Sequence, residues 1–243
     1  MDNLIIGIRP LDEYISGGGK PDRVLIQQGL KGPNFQKLFA EIRGKRIPFQ
    51  MVPVERLNKI SKQNHQGIIA IIPAIEYHSL DKLLPKIIES GEKPLLLILD
   101  GITDVRNFGA IARTAECAGV HAIVVGEKAT APINEDAIKT SAGALSRIPV
   151  CKEATVKHAV HFLKAIGIEI VVCDDKAKAS VYDYVFDKPL ALVMGSEDKG
   201  VAKAINKMAD RIISIPMMGN ISSLNVSVAT GIILFEAVRQ RRK

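Results

Sequence analysis

Leu95-Leu96-Leu97-Ile98-Leu99-Asp100-Gly101-Ile102-Thr103-Asp104-Val105-Arg106-Asn107-Phe108-Gly109-Ala110-Ile111-Ala112-Arg113-Thr114 opens with five apolar residues that stop at Asp100-Gly101 and give way to helical spacing. The apolar run reads as a strand, Leu95–Leu99, and Phe108–Ala118 as the helix that follows it. The same unit recurs to the end of the chain. Strands at Ala122–Val125, Ile168–Cys173, Leu190–Met194 and Arg211–Ile215 alternate with helices at about Glu135–Leu145, Val156–Ile166, Val201–Ala209 and Leu224–Arg239. Strands separated by helices of this length imply an α/β domain with a mainly parallel sheet covered on both faces. Ligands of such sheets gather at the carboxyl ends of the strands, which directs attention to the residues after Leu99, Met194 and Ile215.

Upstream, shorter elements form a second α/β unit. Arg23–Gln28, Phe49–Val52 and Gly67–Ile72 read as strands, Phe35–Arg43 and Val54–Ile60 as helices. The predicted organisation is a small domain over 1–75, a connector over 76–93 with a helix from Ser79 to Ser90, and a larger domain over 94–243. Ser16-Gly17-Gly18-Gly19-Lys20 reads as a flexible loop. Pro21 follows that Lys where a nucleotide-binding P-loop needs Ser or Thr.

The 243 residues are 47% hydrophobic and 24% charged, with no Trp, so the cores must rest on Ile, Val, Leu and Ala. No apolar run is long enough for a membrane span, and Met1-Asp2-Asn3 lacks the basic start of a secretory signal; a cytoplasmic protein is expected. Cys117, Cys151 and Cys173 form no CxxC pair and are expected to be buried and inert. His158 and His161, three apart on a helix, are read as a solvated face, and no metal is expected. The net charge is +7, and residues 1–75 hold 11 Lys/Arg against 6 Asp/Glu. A basic surface attracts polyanions, nucleic acid among them.

Three strand ends carry candidate chemistry. Asn107 and Arg113 project from a strand-to-helix junction and from about two turns further on; taken alone they are equally a turn residue and a solvated helix face. Gly195-Ser196-Glu197-Asp198-Lys199-Gly200 follows a strand: Gly195 permits close approach of a ligand, and Glu197 can accept hydrogen bonds or serve as a first-turn helix acid. In Ile215-Pro216-Met217-Met218-Gly219-Asn220-Ile221-Ser222-Ser223-Leu224-Asn225, Ser223 and Asn225 stand where a helix begins and can simply cap it. That last helix is apolar almost all round, which predicts burial on every side and a covering partner, the commonest being a second copy in a symmetric dimer.

Together, NxGAxxR after a strand, GSExxG at a strand end, and IPM followed by SSLNVSVA resemble the three motifs of the SpoU/TrmH family of RNA ribose 2′-O-methyltransferases, of the SPOUT superfamily. The resemblance spans about 94–243. The N-terminal unit, with His65-Gln66-Gly67-Ile68-Ile69-Ala70, resembles the family's RNA substrate-binding domain, which is similar to ribosomal protein L30e. Family members usually carry Pro where this chain has Val105.

The resemblance implies a trefoil-knotted catalytic domain and a homodimer whose sites draw on both subunits. It implies S-adenosyl-L-methionine as cofactor, held by the backbone of Gly195, Ile215 and Leu224, and no metal. Asn107, Arg113, Glu197, Ser223 and Asn225 are the implied catalytic set around a ribose 2′-hydroxyl. Arg113 is read either as the base or as a ligand of the adjacent phosphate. Over the full length the likeness is to members that modify a guanosine ribose of 23S ribosomal RNA. The alternatives are transfer RNA as substrate, or a non-catalytic RNA-binding protein on the same fold. A third reading, a Rossmann dehydrogenase, fits poorly, because no GxGxxG follows a strand.

Overall fold

The computed structural model describes residues 4–127, 130, 131, 133–221 and 223–242. Ser222 of the last motif lies outside the described residues. Contacts divide the chain into two units, Met1–Ala74 and Ile75–Lys243.

The first unit runs β1 (Leu4–Ile6), α1 (Ile8–Ser16), β2 (Arg23–Gln27), α2 (Pro33–Gly44), β3 (Phe49–Val52), α3 (Val54–Ile60) and β4 (Ile68–Ile71). Its sheet has the order β1-β4-β2-β3, with β2 and β3 parallel and the other pairs antiparallel. Strand alternation sends Val24 and Ile26 toward Leu11, Ile15, Leu38 and Ile42 on α1 and α2. Leu25 and Ile69 face the other way, onto Val52 and Leu57. Sequence patterning missed β1 and α1: the strand has three residues, and Pro10 sits in the first turn of the helix. His65 has a structural part. Its Nδ1 accepts the Gly67 N–H at 3.0 Å, so Nε2 carries the proton and donates to Asn58 Oδ1 at 2.8 Å.

The second unit runs β5 (Tyr77–His78), α4 (Leu80–Glu89), β6 (Leu95–Asp100), α5 (Val105–Cys117), β7 (Ala122–Gly126), α6 (Glu135–Thr140), β8 (Val150–Glu153), α7 (Val156–Ala165), β9 (Glu169–Cys173), β10 (Ala179–Ser180), β11 (Leu190–Gly195), α8 (Lys203–Asn206), β12 (Arg211–Ser214) and α9 (Val226–Arg241). The eight strands follow the order β10-β12-β9-β11-β6-β7-β8-β5, and every pairing is parallel. Odd positions of β6 (Leu95, Leu97, Leu99) and even positions of β11 (Leu190, Leu192, Met194) pack under α5 and α9. Their alternates, Leu96, Ile98, Ala191 and Val193, pack under α4 and α7. Each fully buried aliphatic side chain contributes roughly 1.5–3 kcal/mol, which is why the central strands read as unbroken apolar runs.

Segment 76–93 carries β5 and α4, with Leu80, Leu84 and Ile87 buried against the sheet. Two expectations need correction. The helix expected over Glu135–Leu145 stops at Thr140, because Ala142 and Gly143 adopt left-handed backbone (φ 49° and 88°) before a short 3-10 turn. The helix expected over Val201–Ala209 shrinks to α8, since Ala202 is not helical (ψ 137°). Within one chain α9 buries Val226, Ile233 and Leu234, while Val228 and Phe235 stand half exposed. Among the described residues no helix is long and apolar enough to cross a membrane.

Candidate active site

β6 and β11 are neighbours in register, so Asp100 and Gly195 end their strands side by side. The loop after Gly195 folds back sharply. Ser196 and Gly200 bridge, with the Gly200 N–H donating to Ser196 O at 2.8 Å. A Cβ on Gly195 would lie 2.1 Å from the Gly200 carbonyl carbon and 2.2 Å from Val201 N, so no other residue fits there. The far end of the loop is tied down by Asp100, whose Oδ2 accepts the Ala202 N–H at 2.8 Å. That amide, just before α8, is thus satisfied within the protein.

This loop walls a cavity of about 470 Å3 at the carboxyl ends of β9, β11 and β12. Met194, Ile213, Ile215, Val226, Ala229 and Ile233 give it an apolar floor, while Asp174, Lys176, Glu197 and Lys199 stand among its polar lining. Gly195, Ile215 and Leu224, the expected cofactor residues, all line it, as does Ser223. Sequence reasoning missed the end of β9: Cys173 lines the cavity too, and burial pushes its thiol up to about 12, so it stays neutral. The cavity thus opens after Met194 and Ile215, as strand topology predicts, and after Cys173 rather than Leu99.

Beside the cavity three distant residues form one hydrogen-bonded cluster. Asn107 Nδ2 and Asn225 Nδ2 each donate to Glu197 Oε1 at 2.8 Å, and Asn225 Nδ2 also reaches Asn107 Oδ1 at 3.1 Å. Local structure orients each amide. Asp104 caps α5 by accepting the Asn107 N–H at 2.8 Å, which sets Asn107 in the first helical turn. Val105 takes the first helical position of α5, the one where Pro is favoured, so its replacement of Pro leaves the turn intact. Asn225 caps α9: its Oδ1 accepts the Ser227 N–H at 2.9 Å, which leaves Nδ2 to face Glu197. The cap and the cluster are therefore two halves of one side chain. Gly109, the glycine of NxGAxxR, lets α5 pack on α6, since a Cβ there would lie 2.8 Å from Ala137 O.

Arg113 is not part of this cluster. It stands exposed further along α5 and lines a separate hollow of about 260 Å3 with Glu116, Cys117, Ser141, Ala142, Ala144 and Arg147. Among the described residues it makes no hydrogen bond or ion pair. Cys117 is exposed, against expectation, because it closes α5 on the solvent side; Cys151 is buried, and burial followed by Glu153 and Asp81 pushes its thiol up to about 12. His158 does have an acidic neighbour, Glu153, at 3.5 Å. The described residues contain no group of three or more His, Cys, Asp and Glu placed to hold a metal ion.

Residues 94–235 match the model of the SpoU rRNA methylase family, and residues 4–78 match that of the RNA 2′-O ribose methyltransferase substrate-binding domain. The chain is 38% identical over 246 residues to the 23S rRNA (guanosine-2′-O-)-methyltransferase RlmB of Escherichia coli, covering 99% of this chain and 100% of that one. With the protein of the same name from Photorhabdus laumondii the identity is 42%, covering 99% of each. Among solved structures, the SpoU methyltransferase AviRb from Streptomyces viridochromogenes in complex with AdoMet matches with a TM-score of 0.62. The two are 25% identical, over 98% of this chain and 90% of that one.

Proposed function

The chain belongs to the SpoU rRNA methylase family, and from that premise we propose that it transfers a methyl group from S-adenosyl-L-methionine to the ribose 2′-hydroxyl of a guanosine in 23S ribosomal RNA. The observation that carries the reading is the Asn107–Glu197–Asn225 cluster at the rim of an apolar-floored cavity. The cavity fits the cofactor. It has the volume of a small-molecule site, a floor for a base and a thioether, polar groups for an amino acid moiety, and a wall at Gly195 whose missing Cβ lets the loop to Val201 fold back close.

When bound, S-adenosyl-L-methionine supplies an electrophilic methyl group on a sulfonium. The chain supplies placement. The backbone at Gly195, Ile215 and Leu224 holds the cofactor, in the knotted domain of the family. Glu197 has a second oxygen that neither Asn107 nor Asn225 occupies, and it accepts a hydrogen bond from the ribose. Ser223 closes the side nearest the cavity. Alignment of this kind contributes much of the rate of a displacement whose leaving group is neutral.

Arg113 binds the phosphate next to the reacting ribose and does not take the hydroxyl proton, since a guanidinium is a poor proton acceptor near neutral pH; that proton passes to solvent as the methyl group is transferred. Its hollow lies apart from the cluster in one chain, so Arg113 serves the site of a second copy. The half-exposed Val228 and Phe235 of α9 belong to the face that pairs the two copies in a homodimer.

The test is methyl incorporation from labelled cofactor into separated 23S, 16S and transfer RNA from a strain lacking the enzyme. Label confined to 23S RNA supports the reading; label confined to transfer RNA or absent from all pools contradicts it.

A further inference from the structure

Among the described residues of the first unit the exposed large hydrophobic ones are Phe49 and Met51, each 41% accessible. They lie two positions apart on β3, the edge strand, and so share a face. Register identifies it: Phe49 pairs with Val24 and Met51 with Ile26, both core residues beneath α2. The patch is therefore the core face of the sheet running out past its covering helix. An aromatic row leads out to it. Phe35 is buried and stacks on Phe39 at 5.4 Å, and Phe39 meets the Phe49 ring edge-on at 5.1 Å. Phe49 is thus held rigid from behind while the rest of its surface faces solvent.

Charge concentrates around this edge. Residues 31–62, which make up α2, β3, α3 and their connections, hold 8 Lys/Arg and 2 Asp/Glu. Arg43 follows Phe35 and Phe39 at helical i, i+4 spacing on the same stripe of α2, and Arg46 precedes Phe49 by three residues in a left-handed turn (φ 53°). Neither arginine makes an ion pair among the described residues.

A rigid, half-open aromatic ring beside a methionine and unpaired guanidinium groups fits a nucleobase with its phosphates, since bases stack on aromatic faces whatever their identity and cations follow the backbone. We propose that the β3 edge of the N-terminal unit binds single-stranded RNA, with one unpaired base stacked on Phe49 against Met51 and the flanking phosphates held by Arg43 and Arg46. A fully paired duplex keeps its bases stacked on each other and cannot use Phe49. The inference rests on the proposed RNA substrate and adds where an unpaired part of that RNA is read.

The experiment uses the full chain, a fluorescently labelled single-stranded RNA oligonucleotide and the same sequence as a blunt duplex, with affinity read by anisotropy. Phe49→Ala with Met51→Ala should weaken single-strand binding by roughly tenfold or more, and Phe49→Trp should retain it. Arg43→Gln with Arg46→Gln should weaken it too and flatten the salt dependence by about 1.4 in log–log slope, 0.7 for each lost contact. Circular dichroism and thermal melts should match the parent in all variants, which shows that the N-terminal unit is folded, and calorimetry with S-adenosylmethionine should give unchanged affinity. In the methyl-transfer assay KM for RNA should rise with kcat at saturating RNA within twofold.

Unchanged single-strand affinity in the Phe49 variant overturns the inference, as does equal weakening toward the duplex. A fall in self-association with RNA binding intact also overturns it and makes the edge a contact between copies. If the parent transfers no methyl group yet binds RNA through Phe49, the enzymatic reading fails and this one stands. If the parent methylates RNA and the variants bind and turn over normally, this one alone fails.

Discussion

Gly195→Ala isolates the contribution of the loop that walls the cavity. The new methyl would sit 2.1 Å from the Gly200 carbonyl carbon, against about 3.4 Å for ordinary contact, so the 196–201 backbone must retreat by about 1.3 Å. Both atoms it meets first are backbone, so no side-chain rotation relieves the overlap. Overpacking of this kind costs about 1–3 kcal/mol, which lowers Tm by roughly 2–12 °C for a unit of this size. The functional cost is larger, because Glu197 rides on the displaced loop and must stay within hydrogen-bond reach of Asn107 and Asn225, now at 2.8 Å. A 1 Å misplacement at a reacting centre can cost about a hundredfold in rate. Calorimetric titration with S-adenosylmethionine should show affinity lowered at least tenfold, and single-turnover methyl transfer should fall at least a hundredfold. Gly167→Ala is the control. It has a positive φ of 82°, no atom within 4 Å of the added Cβ and no place in the cavity lining, so it pays left-handed strain of roughly 1–2 kcal/mol without pushing on the cavity. Parental cofactor affinity in Gly195→Ala, or equal losses in the two variants, would refute the steric argument.

Four further outcomes follow from the same geometry. Arg113→Ala should abolish methyl transfer and leave cofactor affinity within about twofold, because Arg113 does not line the cavity; a parental single-turnover rate would remove it from the reaction. Asn225→Ala should lose about 1 kcal/mol as a cap but at least a hundredfold in kcat, and a fall in stability with activity intact would leave it a cap alone. Val105→Pro should raise stability by about 0.4–1 kcal/mol in denaturant melts, since the first helical position needs no N–H, with the pocket unaffected. Hydrogen bonds from Arg239 and then Gln240 hold the Glu236 carboxyl down at about 2 in the folded chain, against 4.5 for a free one. A depressed folded value means stability fully present above pH 4.5 and lost as pH falls toward 2. Glu236→Gln should flatten that part of the acid-melting curve, and an unaltered curve would show that another carboxylate governs it.

The central sheet was legible in the chain because β6, β7, β9 and β11 are buried on both faces and so read as continuous apolar runs. β8 was not, since Val150-Cys151 is followed by Lys152-Glu153 and only two of its residues are buried. β5 and β10 have two residues each at the ends of the sheet, too short to carry a period. At the site, motif resemblance located Asn107, Glu197, Ser223 and Asn225, yet no spacing announces that Glu197 joins two amides from helices far apart in the chain. Asp100 and Asp104 escaped notice for a physical reason: each acts by accepting a backbone N–H, at Ala202 and Asn107, and that bond depends on the loop's path rather than on residue pattern. Which side of α9 its own unit covers was not legible, because a helix apolar almost all round carries the same signal on every face. Arg113 was placed with the others by motif, and only the fold shows it facing a different hollow.

The most direct test digests RNA that the purified protein has labelled and locates the methyl group within the nucleotide. Because a 2′-O-methyl ribose blocks alkaline cleavage at its own phosphate, the account predicts that all label appears in an alkali-resistant dinucleotide yielding 2′-O-methylguanosine. Label recovered on a base, released in alkali-sensitive mononucleotides, would contradict it.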